Sequence, residues 1–570
     1  MKKRANVESA AEAYLELLAS RHVDYFFGNA GTDFAPIVEA YARRSAQGQI
    51  LPRPITVPHE APAVAMAHGY AMVTGRPQLV MVHVNVGTAN ALCGVINAAR
   101  ANTPILFSSG RTPLTEGPLP GARNRQIHWA QESFDQGSMV REYVKWDYEL
   151  RMGSQIETVV DRALAIATSE PAGPVYLTLP REVLAEKMTD FEYSETPRLA
   201  ANGATVADPA SVQRAAEMLA AAKNPLIIVK SAGRDPEAVK PLVALAEALA
   251  IPVVEQYHTH VNFPEDHPLH VGYESTPYVE GADVIVVIET DAPWFPKLKA
   301  PPPEAQVIQI GHDPIFSRYP IRGFAVDLSL GGAPRLTLAA LAEAAKRAGA
   351  DPAAVSARRA RWEVEHRRLR DAWAAKARAV SRDQPIDMAW VSRCIGDVID
   401  ARTLVVNEYD LDSTQTTFRA PGTYFGSSPA AGLGWGLGAA LGAKLAAPEK
   451  DVICTVGDGA YIFGAPTAAH WVSRAYNLPV LWVVFNNRAW NAVKRSVQAH
   501  APDGWAVRTK TMPLSDLDPA PDYELICRAS GGHGERVEDP AALPDAIARA
   551  LKIMREEHRQ VLLNVICKKP

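Results

Sequence analysis

The sequence predicts an α/β protein built of three doubly wound parallel-sheet domains. Three observations carry this expectation. The chain has 570 residues, and because single cores stop growing well below that length, it asks for about three domains. Short apolar runs suited to buried strands alternate with longer stretches of helical periodicity, the pattern of a parallel sheet covered by helices on both faces. Several of these runs empty into Gly- or Asn-rich turns, where open α/β sheets hold their ligands.

In residues 1–187 the apolar runs are 25–27, 79–82, 105–108 and 175–179. After His59-Glu60, the residues Ala63, Met66, Ala67 and Tyr70 recur at helical spacing, and Glu60 sits at the amino end, where a helix dipole favours a carboxylate. Leu79–Val82 runs on through His83 toward Asn90, which opens an apolar helical run to Ala99. A polar stretch with Pro197, Asn202 and Gly203 reads as a linker. Residues 200–348 repeat the alternation, with helix 210–222, strand 225–229, helix 236–249 and strands 252–255 and 284–288. An Arg-rich helix over 352–380 reads as a solvated face, although its guanidinium groups could pair with a polyphosphate or CoA. Residues 380–570 form the third domain and close with strand 561–566.

The most informative segment lies in that third domain. Val452–Val456 is an apolar strand that ends in Gly457-Asp458-Gly459, and Val483–Phe485 is another that ends in Asn486-Asn487. Residues 460–476 between them read as one helix. A carboxylate and an amide oxygen then converge at neighbouring strand ends, and hard oxygens of this kind suit Mg²⁺, whose remaining positions are commonly filled by phosphate oxygens.

These residues resemble the thiamine diphosphate (ThDP) enzymes, in particular the branch with acetolactate synthase, benzoylformate decarboxylase and pyruvate decarboxylase. The resemblance implies that Asp458, Asn487 and the main-chain oxygen of Ala489 ligate Mg²⁺. It places Gly457, Gly459, Ala460 and Trp490 around the diphosphate. Gly432-Leu433-Gly434 resembles the turn whose apolar side chain props the cofactor in its bent shape, with Leu433 as the prop. Glu60 matches the family's catalytic glutamate, which hydrogen-bonds the aminopyrimidine ring. Phe27-Gly28-Asn29-Ala30-Gly31-Thr32 resembles the Phe-Gly-x-Pro-Gly loop, with Ala30 in place of proline.

Three features bear on the reaction. The His83-x-x-x-Gly87-Thr88-x-Asn90 spelling is closer to benzoylformate decarboxylase, which implies that His83 and Thr32 face the substrate. Trp129-Ala130-Gln131-Glu132-Ser133 resembles acetolactate synthase, where the matching Gln approaches the second substrate. The His pair and the late acid of pyruvate decarboxylases are missing, and Ala492 and Val493 stand where that acid would be. Glu60, His83, Asn29 and Gln131 are therefore the catalytic candidates, and Thr32, Trp294, Ala492 and Val493 the candidate substrate pocket. Trp294 reads equally well as core. His258 and His260 read as ordinary loop residues.

The resemblance implies decarboxylation of a small 2-oxo acid with ligation of the remaining acyl unit to an aldehyde or ketone, as in acetolactate synthase. Aldehyde release of the benzoylformate decarboxylase type and 2-hydroxyacyl-CoA lysis, with a CoA thioester, are the alternatives. A non-catalytic module of the same fold is a reading of another class, against which intact Glu60, Asp458 and Asn487 speak. Because one cofactor needs Glu60 and Asp458 together, and the family supplies them from different subunits, a homodimer or homotetramer with sites at the subunit interface is expected. FAD is not indicated, since the loop after residue 288 carries Glu289 and Asp291 where a nucleotide phosphate would lie.

Composition excludes other classes. The net charge is −4 without a basic stripe, which gives no sign of nucleic acid. No long apolar run suggests a membrane span, and Met1-Lys2-Lys3-Arg4 leads into no hydrophobic signal core, so a cytoplasmic location is expected. The five cysteines are scattered, lack CxxC spacing and read as small buried hydrophobes.

Overall fold

A computed structural model describes residues 1–49 and 51–569. Three all-parallel sheets make up the frame, and an antiparallel ribbon of Lys2–Asn6 with Asp190–Ser194 ties the two ends of the first domain together. The first sheet has the order Arg53–Thr56, Tyr25–Gly28, Leu79–Val82, Leu106–Arg111, Val175–Pro180, Asp147–Glu149. The third has Tyr424–Gly426, Thr403–Glu408, Asp451–Gly457, Leu481–Asn486, Val561–Ile566, His533–Val537. Counted by appearance within each domain, both orders are 2-1-3-4-6-5, so the two domains are topological copies. In each, chain order reverses between the first and third strands, the point beyond whose carboxyl ends open α/β sheets hold their ligands.

The central sheet runs Val253–Glu255, Pro225–Val229, Val284–Ile288, Gln306–Gly311, Leu328–Gly331. Val284–Ile288 is buried throughout, as an all-β-branched strand covered on both faces should be. At its own reversal point Lys230 pairs with Asp291 at 2.6 Å, and Glu289 accepts the His312 N–H at 2.7 Å.

The first and third domains share one core through two helices, Glu60–Thr74 and Trp435–Ala446. Their backbones touch at glycines: a Cβ on Gly69 would lie 2.1 Å from the Ala439 carbonyl oxygen, and one on Gly442 would lie 1.9 Å from that of Met66. Small residues here admit a closeness that any side chain would prevent.

Several elements depart from the sequence expectation. The single helix expected over 460–476 is two, Asp458–Phe463 and Pro466–Ala475. Gly464 ends the first, Ala465 turns with φ 51, and Pro466 starts the second, since proline lacks the N–H an unbroken helix would need. The helix expected from Asn90 starts at Val84. The Arg-rich helix spans Pro352–Ala379, and Arg358 on it is buried rather than solvated, donating to the Leu249 and Ala222 carbonyls at 2.7 Å each. His258 and His260 lie in a loop, as expected, but a buried one, with His258 stacked between Tyr273 and Tyr424.

Candidate active site

At the first domain's reversal point, strand Tyr25–Gly28 delivers Asn29 and strand Leu79–Val82 delivers His83. Glu60 opens the helix Glu60–Thr74, which His59 caps by accepting the Ala61 N–H at 3.2 Å. Glu60 as a whole is 8 % exposed. Asn29 Nδ2 donates to its Oε1 at 2.8 Å, and Asn90 Nδ2 donates to its Oε2. A cavity of 680 Å³ opens over these groups, lined by Asn29, Glu60, His83, Val86 and Asn90 among others, all from residues 29–90.

His83 is fixed from both sides. Its Nδ1 lies 2.6 Å from Asp33 Oδ1, and its Nε2 lies 3.3 Å from Gln131 Nε2. With the proton on Nδ1, the ring donates to Asp33 and accepts from the Gln131 amide. The Asp33 hydrogen bond raises the imidazole pKa above its ordinary value, against the desolvation that would lower it. Asp33 Oδ2 also accepts the Val84 N–H at 3.2 Å, bracing a β-branched residue held at φ 35. There is room for this pair only because Gly31 and Gly110 lack Cβ atoms, which would fall 2.1 Å from His83 Nδ1 and 1.8 Å from Asp33 Oδ2.

Gln131 Oε1 is buried and unpartnered. Thr32 Oγ1 lies 3.5 Å from Nε2 of His128, whose Nδ1 accepts the Asn124 N–H, so that Nε2 carries the proton. Burial, with Arg181 and Arg123 nearby, lowers the His128 pKa. Trp294 is a core side chain of the central domain, its ring edge-on to Phe324, and presents no face to the cavity. Ala492 and Val493 are exposed on the first turn of helix Asn491–His500.

At the third domain's reversal point, Asp458 is 1 % exposed and accepts the Gly459 N–H at 3.0 Å and the Arg488 N–H at 2.6 Å. Burial pushes its carboxyl up to about 7, and the neighbouring Asp410 adds to the rise. Arg488 turns the chain with φ 56 between Asn487 and Ala489. Asn487 Oδ1 is buried without a partner, an acceptor left open beside a buried carboxylate. These hard oxygens are the donors a small divalent cation takes. Gly459 packs on Trp490, whose ring would lie 2.5 Å from an added Cβ. Gly457 faces Asp410, and Ala460 is buried on the short helix behind. Leu433 packs half-buried on the shared core, preceding Gly434 at φ 81. The Glu408 carboxylate accepts the Gly434 and Gly436 N–H groups at 2.6 Å each and thereby holds the turn that presents Leu433.

Three family models match in chain order. They are the thiamine pyrophosphate enzyme N-terminal TPP binding domain at residues 8–139, the central domain at 212–341 and the C-terminal TPP binding domain at 409–565. The chain belongs to the thiamine pyrophosphate enzymes. It is 28 % identical to a sulfoacetaldehyde acetyltransferase of Rhodobacter capsulatus over 95 % of this chain and 91 % of that one. It is 26 % identical to a benzoylformate decarboxylase of Pseudomonas aeruginosa, covering 98 % and 99 %. Its fold matches the 4-hydroxybenzoylformate decarboxylase structure from Rhodococcus jostii with a TM-score of 0.79, at 21 % identity and 99 % coverage of both chains. It is thus an enzyme of the ThDP class. No helix among the described residues is long and apolar enough to cross a membrane.

The sequence reading missed Asp33, Asn90's bond to Glu60, His128, Glu408 and Asp410. Asp33 follows Thr32 in the same glycine-rich turn and could have been paired with His83 once both strand ends were set side by side. Glu408 and Asp410 follow an apolar run, 404–406, that carries the signature of a strand.

Proposed function

We propose that this enzyme, with ThDP and Mg²⁺, decarboxylates a small 2-oxo acid and joins the remaining acyl unit to a second carbonyl compound. The observation that carries the reading is Gln131, whose amide meets His83 beside the Glu60 cavity while its own oxygen stays buried and unpartnered. ThDP, when bound, would supply carbanion chemistry toward the oxo-acid carbonyl and an electron sink for the bonding pair left behind when CO₂ departs. Glu60, oriented by Asn29 and Asn90, holds a proton at the aminopyrimidine ring. Asp458, Asn487 Oδ1 and the Ala489 carbonyl oxygen hold the Mg²⁺ that neutralises the diphosphate, and Leu433 supports the cofactor's bend. His83, oriented by Asp33, holds or moves a proton at the substrate oxygen, and Thr32, on the same turn as Asp33 with its hydroxyl toward His128, borders the substrate. Gln131 orients the acceptor.

The Glu60 cavity takes no lining residue from the third domain, whereas one cofactor must reach both Glu60 and Asp458. A second copy of the chain supplying that half accounts for this, and Trp129 and Phe134, exposed on either side of Gln131, are apolar surface for it to cover. We therefore assign a homodimer or a dimer of dimers, acting in the cytoplasm on small molecules.

A second reading, aldehyde release, is favoured by the Asp33 hydrogen bond, which raises the His83 pKa and so favours the ring form able to hand a proton to the product. The experiment that separates them incubates the protein with ThDP, Mg²⁺ and 2-oxo acids from pyruvate to phenylglyoxylate, following CO₂, aldehyde and 2-hydroxyketone by mass spectrometry. CO₂ with ligated product supports the proposal. CO₂ with aldehyde alone replaces it with the decarboxylase reading. No CO₂ from any acid refutes both and turns attention to 2-hydroxyacyl-CoA thioesters.

A further inference from the structure

Both strands that flank the third domain's reversal point deliver an acid. Strand Asp451–Gly457 ends at Asp458, and strand Thr403–Glu408, paired with it in parallel, leads to Asp410. Tyr409 and Asp410 both take the left-handed conformation, with φ 64 and 69, which residues other than glycine adopt only under constraint. The turn aims the Asp410 carboxylate at Gly457, where an added Cβ would lie 2.4 Å from Oδ2. Among the described residues this carboxylate has no hydrogen-bond donor and no ion-pair partner, and the nearby cation that acts on it is Arg495. Asp410 is half-buried, and on the other side of strand Asp451–Gly457 Asn487 Oδ1 is fully buried and unpartnered.

Asp458, Asn487 and Ala489 already make up the cation's protein ligands proposed above, so Asp410 is a surplus negative charge beside a site meant for an anionic diphosphate. Without a cation the two carboxylates repel each other and the diphosphate. With one, a carboxylate just outside the ligand shell attracts it and accepts a hydrogen bond from its water, of which Mg²⁺ usually keeps at least one. We propose that Asp410 is an outer carboxylate of the metal–diphosphate site that tightens cation binding and makes diphosphate binding strictly conditional on the cation. The inference rests on the assignment of Asp458 and Asn487 to that cation.

The test is equilibrium dialysis of ThDP, and separately of inorganic diphosphate, against the purified full-length protein across a Mg²⁺ titration. Wild type, Asp410→Asn and Asp410→Glu are compared, with circular dichroism as the check on folding. In Asp410→Asn the Mg²⁺ concentration for half-maximal ThDP retention is expected to rise about tenfold or more, the usual scale for an outer-shell partner. Diphosphate in the presence of EDTA should bind that variant more tightly than wild type. Asp410→Glu should keep a wild-type Mg²⁺ midpoint. An unchanged midpoint in Asp410→Asn overturns the proposal, and so does an equal rise in both variants, which would mean that loop shape rather than charge matters. If wild type itself retains ThDP equally well with and without Mg²⁺, the cation assignment fails first and takes this inference with it.

Discussion

Asp33 and His83 form a couple that fixes which imidazole nitrogen faces the cavity. Oδ1 takes the Nδ1 proton at 2.6 Å while Oδ2 holds the Val84 N–H, so one buried carboxylate sets both the ring's tautomer and the strained turn beneath it. The two residues come from different strand ends, and each is of little use without the other.

This couple has a pH signature. Asp33 raises the His83 pKa in the folded state above its unfolded value of about 6.5. A raised folded pKa contributes stability that is fully present below the unfolded value and disappears as pH rises through the folded value. Asp33→Asn should therefore lower the melting temperature most at mildly acid pH and least in the alkaline range. The His83 titration, followed by NMR of ring protons, should shift to lower pH. A melting-temperature deficit that grows with pH would contradict the assignment.

Glu60→Gln should abolish turnover by a factor of about 10² to 10⁴, the usual worth of a positioned acid–base group. The fold should survive, because the amide keeps an acceptor for Asn29. Its new NH₂ faces the Asn90 amide, two donors without an acceptor, for which a loss of about 1–3 kcal/mol is expected. Acid-quenched NMR of C2 proton exchange in bound ThDP reads the catalytic part, and urea unfolding reads the structural part. Near-normal exchange in the variant would remove Glu60 from the mechanism.

Gln131→Ala should alter the fate of the product more than the release of CO₂. The amide touches His83 and leaves an unpartnered oxygen, so its loss deprives the acceptor of its orienting group without touching Glu60. The ratio of 2-hydroxyketone to aldehyde should fall about tenfold or more, since a misplaced acceptor loses much of its proximity advantage. An unchanged ratio would place Gln131 outside the acceptor site.

Much of the site was legible because its signals are local. Gly457-Asp458-Gly459 and Asn486-Asn487 each follow a predominantly apolar strand, and Glu60 precedes a helical run, so type, spacing and strand end agree within a few residues. What was not legible depends on pairing across the sheet. Asp33 has meaning only beside His83, fifty residues away, and Asp410 only beside Gly457. The topological identity of the first and third domains also escaped, because the short strands Arg53–Thr56, Asp147–Glu149 and His533–Val537 have too little apolar character to announce themselves, and Tyr424–Gly426, though buried, is only three residues long. Trp294 was ambiguous for a different reason. A tryptophan after an apolar strand serves a core and a pocket wall equally well, and only its packing on Phe324 decides.

Gly442→Ala tests whether the helix that carries Glu60 is set by backbone contact with the third domain. In a free helix the substitution would stabilise by up to about 1 kcal/mol, because glycine is the poorer helix former. Here the new Cβ would fall 1.9 Å from the Met66 carbonyl oxygen, a backbone atom that cannot rotate away, so the helices must part. Overpacking of this kind costs about 1–3 kcal/mol and should outweigh the propensity gain. Gly281→Ala is the control, since a Cβ there meets nothing within 4 Å and should change stability by no more than about 0.5 kcal/mol. Because Met66 and Glu60 share one helix, the displacement should reach the carboxylate and lower turnover even where the variant remains folded. Urea unfolding and steady-state rates on both variants check this, and a Gly442→Ala protein as stable and active as wild type would show that the two helices are not in the contact described.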